Sequence, residues 1–183
     1  GRAVQGVTSA WMLDAHTRNG LDVRLDTSVL AILGNSASGA TGVRLSDSGD
    51  VLADLVLVCA GVVPEVELAS AAGLHVDNGI TVDETLRASH PAVYALGDCA
   101  NFLHARSATR VRLESVQNAT DQARCVVSNL LGEATRYDAP CWFWSDQGEH
   151  KLKIAGLTSG ADSHVVRPGA DSTGLSVLCF NGD

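Results

Sequence analysis

A short apolar run ends on Gly97-Asp98 in the stretch AVYALGDCANF, residues 92–102. In parallel α/β sheets, ligands bind beyond the carboxyl ends of the strands. The pattern therefore predicts a strand over 91–96 with Asp98 at its tip, where a carboxylate accepts hydrogen bonds from sugar-like hydroxyls. Gly97 has no Cβ, so a ligand can approach its backbone closely. The alternative interpretation is a plain turn with a capping aspartate.

A long helix is predicted shortly after this tip. Residues 112–131 place apolar side chains at helical spacing, and Gly132 is a typical helix stop. The first turn lies near Glu114 and Val116 and would carry about half a positive charge. A cofactor that becomes anionic on reduction would be stabilised beside it.

The rest of the chain alternates between helix and strand patterns until Tyr137, after which only strands are predicted. Thr8 or Ser9 is the predicted cap of the first helix, and Gly20 its end. The run 54–61 is apolar throughout, which is typical of a strand covered on both faces. The predicted helices are 8–20 and 64–72, and the predicted strands are 21–25, 29–33, the hairpin 42–46 with 51–53, 54–61, 79–83, 151–157, 164–167 and 174–180.

The composition limits the function classes. The chain has 183 residues, is 45% hydrophobic and carries a net charge of −8. This balance supports a packed core and argues against broad nucleic-acid binding, which needs a basic face. No apolar run approaches the roughly 20 residues of a membrane helix, and no signal-peptide pattern is evident at the start.

The five cysteines form no CxxC pair and have no metal-ligand spacing. An odd, scattered set suits reduced thiols in the cytoplasm better than a disulfide framework. We therefore expect a cytoplasmic protein without a metal site, in which each cysteine is a small buried hydrophobe.

Three motifs, in this order, carry a family resemblance: TVDETLRASHPAVYALGDCANF at 81–102, RVRLESVQNATDQA at 110–123 and CWFWSDQ at 141–147. The first resembles the second flavin-binding motif of the FAD-dependent pyridine nucleotide-disulfide oxidoreductase superfamily. The other two narrow the resemblance to reductases of the ferredoxin and rubredoxin type. The resemblance covers essentially the whole chain, as the C-terminal part of such an enzyme.

The resemblance implies an α/β fold with remnants of two doubly wound, Rossmann-like dinucleotide-binding domains, followed by part of an α+β C-terminal domain. Residues 1–62 would be the later part of the NAD(P)-binding domain. Residues 63–136 would be the C-terminal segment of the FAD-binding domain, and 137–183 a truncated reductase C-terminal domain. Gly61 begins the segment that returns to the flavin domain and is a predicted cofactor contact.

The resemblance also assigns roles at the site. Asp98, after Gly97, would hydrogen-bond the ribityl or pyrophosphate region of FAD. The backbone amide of Val116 would meet the pyrimidine edge of the flavin ring, and Glu114 would help to place the nicotinamide. Trp144 would shield the flavin and mark the edge that faces the electron partner. The alternative for Trp144 is a side chain that only fills a domain interface.

The function that the resemblance implies is electron transfer from NAD(P)H through FAD to a ferredoxin-type [2Fe–2S] protein or a rubredoxin. No catalytic acid, base or nucleophile is predicted, because the cofactors perform the chemistry. The alternatives are the reductase portion of another flavoenzyme, of the nitrite or monodehydroascorbate reductase type, and a flavin-free interaction domain.

The sequence contains no G-x-G-x-x-G motif, although the family has two, each of which places a pyrophosphate on a helix N-terminus. Asn181-Gly182 is a strong hairpin signal, yet no returning strand follows it. We therefore expect a fragment that by itself binds FAD weakly or not at all and turns over no NADH.

Basic side chains are few in this acidic chain. They could steer the docking of an acidic ferredoxin, or they could be ordinary solvated surface charges. The candidates are Arg106, Arg110, Arg112, Lys151 and Lys153.

Overall fold

The computed structural model describes residue 4 and residues 6–37, 39–169 and 174–182. The chain divides into two compact units, Gly1–Val62 and Val63–Asp183. No helix among the described residues is long and apolar enough to cross a bilayer.

The first unit consists of one helix and an antiparallel three-stranded sheet. The helix α1 spans Gly6–Arg18, and the strands are β1 (Val29–Asn35), β2 (Gly39–Leu45) and β3 (Gly49–Leu52), paired in the order β1-β2-β3. The predicted hairpin is confirmed. The helix ends where expected, at Gly20 with a φ of +84°. The predicted cap is wrong, because α1 begins at Gly6 and so includes both Thr8 and Ser9.

Two strand predictions in this unit are wrong. Residues 21–25 and 54–61 belong to no sheet among the described parts of the chain. Leu55 and Leu57 are 73% and 77% exposed, although their run is apolar enough to be covered on both faces. The physical reason is that a strand takes its backbone hydrogen bonds from neighbouring strands, and no described strand pairs with either of these two segments.

The second unit begins with a short helix and a small mixed sheet. The helix α2 spans Glu67–Ala71, followed by β4 (Ile80–Thr81), β5 (Ala100–His104) and β6 (Thr109–Val111). Strand β4 runs parallel to β5, and β6 is antiparallel to it. Strands β5 and β6 were not predicted. The predicted strand 91–96 is wrong, because within it only Tyr94 forms a bridge, to Arg87.

The long helix α3 spans Val116–Leu130. The predicted helix over 112–131 is confirmed, and the observed helix begins four residues later than predicted. Ser115 is the N-cap, with its hydroxyl accepting a hydrogen bond from the Asn118 backbone N–H at 3.1 Å. Gly132 follows with a φ of +94°, as a helix stop requires.

Two antiparallel hairpins follow α3. The first pairs β7 (Trp142–Gln147) with β8 (His150–Ala155), and the second pairs β9 (Ser163–Pro168) with β10 (Leu175–Phe180). The three strand-like runs predicted after Tyr137 are confirmed as β8, β9 and β10. Strand β7, which carries the tryptophan motif, was not predicted as a strand.

The main hydrophobic core lies in the second unit and joins α3 to the mixed sheet. Phe102 and Tyr137 meet there edge to face, with ring centroids 5.2 Å apart. The buried members are Val82, Leu86, Ala95, Ala100, Phe102, Leu113, Cys125, Val126, Tyr137 and Cys141.

All five cysteines are free thiols, but they differ in burial. Cys125 and Cys141 belong to the core, whereas Cys99 and Cys179 are half-buried. Cys59 is exposed, so the expectation that every cysteine is buried is wrong. It lies on the unpaired segment 54–61, which has no described neighbour to cover it.

Candidate functional site

An open cleft of about 750 Å³ lies in the second unit, between the Gly97-Asp98 turn, the start of α3 and strand β7. Five of the six predicted site residues line it. They are Gly97, Asp98, Glu114, Val116 and Trp144, together with Leu96, Ser115, Ala119, Thr120 and Phe143. The sixth, Gly61, belongs to the first unit and has a φ of +91°.

Gly97 opens a single 3-10 turn, Gly97–Cys99, with a φ of +73°. A Cβ at this position would lie 3.5 Å from the Cβ of Ala119 on α3. The glycine is therefore required by its left-handed backbone and sits closely against the helix. This differs from the expectation that its missing Cβ clears space for a ligand, since that side of the residue faces α3.

Asp98 is exposed at the cleft wall. Among the described residues no hydrogen bond or ion pair engages its carboxylate. The guanidinium of Arg112 reaches only the backbone carbonyl of Asp98, at 2.9 Å. The carboxylate can therefore accept hydrogen bonds from hydroxyl groups of a ligand in the cleft.

The N-terminus of α3 borders the same cleft. Ser115 and Val116 line it, and the Val116 side chain is 68% exposed. The first turn of α3 contains no acidic residue to compensate the positive end of the helix dipole. This wall thus favours a ligand group with negative or acceptor character.

The aromatic wall of the cleft comes from β7. Trp144 is 47% exposed, and its ring centroid lies 5.2 Å from that of Trp142, with the planes tilted by 32°. Both indoles point to the same side of the strand because their positions differ by two. Trp142 therefore packs beside the Trp144 indole, and Trp144 lines the cleft together with Phe143.

Arg112, for which a docking role or a solvated surface position was expected, is instead engaged within the chain. Its side chain is 10% exposed. The guanidinium donates to Asp98 and Glu114, and Nε donates to Oδ1 of Asn78. Arg110 is likewise engaged, donating to the carbonyls of Val82 and Asn101. Each of these two arginines thus makes hydrogen bonds within the chain, and their role in docking stays a prediction.

Gln122 is a second residue of the site that was missed. Its side chain is fully buried, and its Oε1 accepts a hydrogen bond from the Gly97 backbone N–H at 2.7 Å. Asn118, one turn earlier, is equally buried and accepts from the Tyr137 hydroxyl at 3.0 Å. A sequence signal existed, since both amides fall on the face of α3 that also carries Cys125 and Val126.

Residues 2–123 match the family described as pyridine nucleotide-disulphide oxidoreductase, and residues 142–183 match the family described as reductase C-terminal. The first match covers well over half of the chain. The chain belongs to the pyridine nucleotide-disulphide oxidoreductase family. The resemblance inferred from the three motifs is thereby confirmed.

Two curated relatives show the extent of the similarity. Rhodocoxin reductase of Rhodococcus erythropolis is 50% identical over 182 residues, which cover 99% of this chain and 42% of that protein. Putidaredoxin reductase of Pseudomonas putida is 42% identical over 177 residues, covering 96% of this chain and 42% of that protein. The chain thus spans less than half the length of these relatives.

Two solved structures of reductases share the fold of this chain. A ferredoxin reductase for the CYP199A2 system from Rhodopseudomonas palustris is 44% identical, with a TM-score of 0.92 over 98% of this chain and 44% of that one. The reductase in a covalent putidaredoxin reductase–putidaredoxin complex is 40% identical, with a TM-score of 0.91 over 100% of this chain and 44% of that one. The α/β fold class, with Rossmann-like parts and a reductase C-terminal segment, is confirmed.

Proposed function

We propose that this chain forms one side of the flavin site of an NAD(P)H-dependent, FAD-containing reductase that delivers electrons to a ferredoxin-type [2Fe–2S] protein. The observation that carries the proposal is the single cleft that gathers Asp98, the N-terminus of α3 and Trp144. Relatives named rhodocoxin, putidaredoxin and ferredoxin reductases support the same function.

The residues present fit FAD. The unpartnered carboxylate of Asp98 would accept hydrogen bonds from the ribityl hydroxyls. The amides at the start of α3, including that of Val116, would face the pyrimidine edge of the ring, where negative charge is stabilised by the helix dipole. Trp144 would cover the ring and exclude water from it. Glu114 would orient the nicotinamide, and Gly61 of the first unit is a further proposed cofactor contact.

When bound, FAD would supply the redox chemistry of the site, namely acceptance of a hydride from NAD(P)H and transfer of single electrons to an iron–sulfur centre. The side chains of this chain bind and orient the two cofactors, and no acid, base or nucleophile from it is required. The indole of Trp144 would separate the flavin from solvent on the side where the iron–sulfur protein docks.

The domain assignment stays part of the proposal. Residues 1–62 would belong to the NAD(P)-binding domain, 63–136 to the FAD-binding domain and 137–183 to the reductase C-terminal domain. Two observations support it, namely the boundary between the compact units after Val62 and the start of the second family match at residue 142. The exposed, unpaired run 54–61 would then be one strand of a larger parallel sheet.

The proposal is tested with the complete reading frame that encodes these residues. We expect a yellow protein whose flavin is reduced by NADH or NADPH and which then reduces a [2Fe–2S] ferredoxin. Rubredoxin is a second acceptor to assay, because rubredoxin–NAD(+) reductase of Pseudomonas putida is 36% identical over 162 residues. A purified protein that binds no flavin would contradict the proposal and favour an interaction domain.

A matched pair of variants tests the site itself. Asp98→Ala should weaken FAD binding by roughly tenfold or more, because a charge-assisted hydrogen bond is lost. Asp138→Ala removes an exposed aspartate of the same unit outside the cleft and should leave FAD affinity unchanged. Equal affinities of the two variants would exclude Asp98 from the flavin site.

The 183-residue chain by itself should bind FAD weakly or not at all, since it holds no G-x-G-x-x-G to bind a pyrophosphate. Titration with FAD, followed by flavin fluorescence, measures this. Stoichiometric binding at micromolar concentration would show that the described cleft is sufficient. We also propose a cytoplasmic location, which suits five free thiols.

A further inference from the structure

Arg112 connects the two carboxylate-bearing segments of the cleft. Its Nη1 donates to the backbone carbonyl of Asp98 at 2.9 Å and to Oε1 of Glu114 at 2.7 Å. Asp98 lies in the 3-10 turn, whereas Glu114 precedes the N-cap of α3. One guanidinium group therefore holds two separate segments of the cleft wall at a constant distance.

The position of Arg112 is itself constrained by a third segment. Its Nε donates to Oδ1 of Asn78 at 3.3 Å. The neighbouring Gly79 has a φ of +122°, and a Cβ there would lie 2.9 Å from Cδ of Arg112 and 2.7 Å from the carbonyl oxygen of Cys99. The backbone thus leaves a space that the arginine side chain fills.

The ion pair of Arg112 with Glu114 differs from the other ion pairs of this unit. The Arg112 side chain is 10% exposed, compared with 75% for Arg124 and 76% for Arg136, the arginines of the other two ion pairs between described residues of this unit. Exposed pairs contribute little because water screens them. Around a nearly buried guanidinium the interaction is stronger, and loss of one partner leaves a desolvated charge.

We infer that Arg112 is a positioning residue of the flavin site, which sets the spacing between the Asp98 turn and the Glu114 carboxylate. The inference rests on the proposed flavin function. Lysine would keep the charge but not the arrangement, since an ammonium cannot present Nε and Nη1 in the fixed planar geometry that reaches three segments. The role of Arg112 therefore depends on its shape as well as its charge.

The first measurement needs no flavin. Amide hydrogen exchange of the complete reductase, without added flavin, is compared for wild type, Arg112→Lys and Arg136→Lys, a matched exchange at an exposed ion pair in the same unit. We expect Arg112→Lys to speed exchange at residues 97–100 by roughly tenfold, as loss of a charged hydrogen bond predicts. Exchange in β9 and β10 should stay at the wild-type rate, and Arg136→Lys should change neither region.

The second measurement uses the complete reductase. Arg112→Lys should raise the dissociation constant of FAD about tenfold and shift the flavin reduction potential. Glu114→Gln should alter the KM for NAD(P)H, and this effect should shrink in the Arg112→Lys background because the two side chains act as a unit. If Arg112→Lys does not fold, Glu114→Gln supplies the comparison, since it removes the charge of one partner and leaves Arg112 in place.

The outcomes separate the two proposals. A wild-type reductase without flavin would overturn the proposed function, whatever Arg112 does. The role of Arg112 alone would be overturned if the wild type binds flavin and the two variants, Arg112→Lys and Arg136→Lys, have the same flavin affinity, reduction potential and exchange rates. Uniformly faster exchange in the whole unit with unchanged flavin affinity would also overturn it, because that pattern is a general loss of stability.

Discussion

The backbone N–H of Gly97 donates to Oε1 of Gln122 across 2.7 Å, and both residues are buried. This bond attaches the turn that carries Asp98 to the middle of α3. The amide nitrogen of the same glutamine has no partner among the described residues. The acceptor oxygen is therefore the atom of Gln122 that stabilises the turn.

Substitutions of Gln122 should show whether its hydrogen-bond acceptor or the volume of its side chain stabilises the turn. Gln122→Leu removes the acceptor and should lower the free energy of unfolding by about 1–3 kcal/mol, since the buried Gly97 N–H loses its partner. Gln122→Glu keeps an acceptor oxygen but buries a carboxyl group, so at neutral pH it should not restore the loss. Urea unfolding followed by tryptophan fluorescence measures both. Equal stability of the Leu variant and wild type would contradict the assignment.

Gly79 should be intolerant of any side chain. Gly79→Ala adds a Cβ 2.7 Å from a backbone oxygen at a φ of +122°, so strain and overpacking add. Gly132→Ala is the matched control, with a φ of +94° and nothing within 4 Å. We expect about 1–2 kcal/mol of destabilisation for Gly132→Ala and roughly 1–3 kcal/mol more for Gly79→Ala. If thermal unfolding showed the same loss of stability for the Gly79→Ala and Gly132→Ala variants, the close approach of the Cys99 carbonyl to Gly79 would be refuted.

Asp83 should make the second unit sensitive to acid. Burial alone raises the pKa of its carboxyl, but hydrogen bonds from the Thr85 hydroxyl and from the Arg87 and Thr85 backbone N–H groups outweigh this and leave the pKa lowered. The resulting stabilisation is complete above the unfolded-state pKa of about 3.9. It is lost as the pH falls through the lower folded-state pKa.

Asp83→Asn should therefore remove part of the acid dependence. The difference in free energy of unfolding between about pH 6 and about pH 3 should be smaller in Asp83→Asn than in wild type. Asp138→Asn, an exposed aspartate of the same unit, serves as the control and should behave as wild type. An unchanged acid dependence in Asp83→Asn would rule out the contribution.

The thiols should differ in reactivity. Burial raises the pKa of the Cys141 thiol and also that of Cys125, so both remain protonated and shielded at neutral pH. Cys59 is exposed. Alkylation of the 183-residue chain with iodoacetamide should modify Cys59 first and reach Cys141 only on unfolding, as mass spectrometry of peptides would show. Labelling of Cys141 as fast as Cys59 would disagree with its burial.

Local sequence patterns predicted well those elements whose signals are themselves local. Helix α3 is bounded by a serine cap and Gly132, and its apolar spacing lies within one segment. The motif resemblance predicted that Asp98, Val116 and Trp144 serve one site, and the structure places all three around one cleft. Their roles toward FAD stay predictions.

Strand pairing was less accessible from the sequence. Residues 54–61 and 91–96 have strand composition, yet neither forms a ladder, because a strand is completed by neighbours that its own residues do not specify. Conversely, β5 and β6 pair as a hairpin, although residues 105–108 between them carry no strong turn signal.

The family, the long helix and the residue types of the cleft follow from the linear sequence, because motifs and helical periodicity lie along one segment of chain. The contacts of Gln122 and Arg112 become visible only in the folded molecule. Gln122 meets Gly97 from 25 positions away, and Arg112 meets Asn78 from 34 positions away. Tertiary packing brings such partners within hydrogen-bond distance, and residues so far apart in the sequence leave no local pattern that would predict their contact.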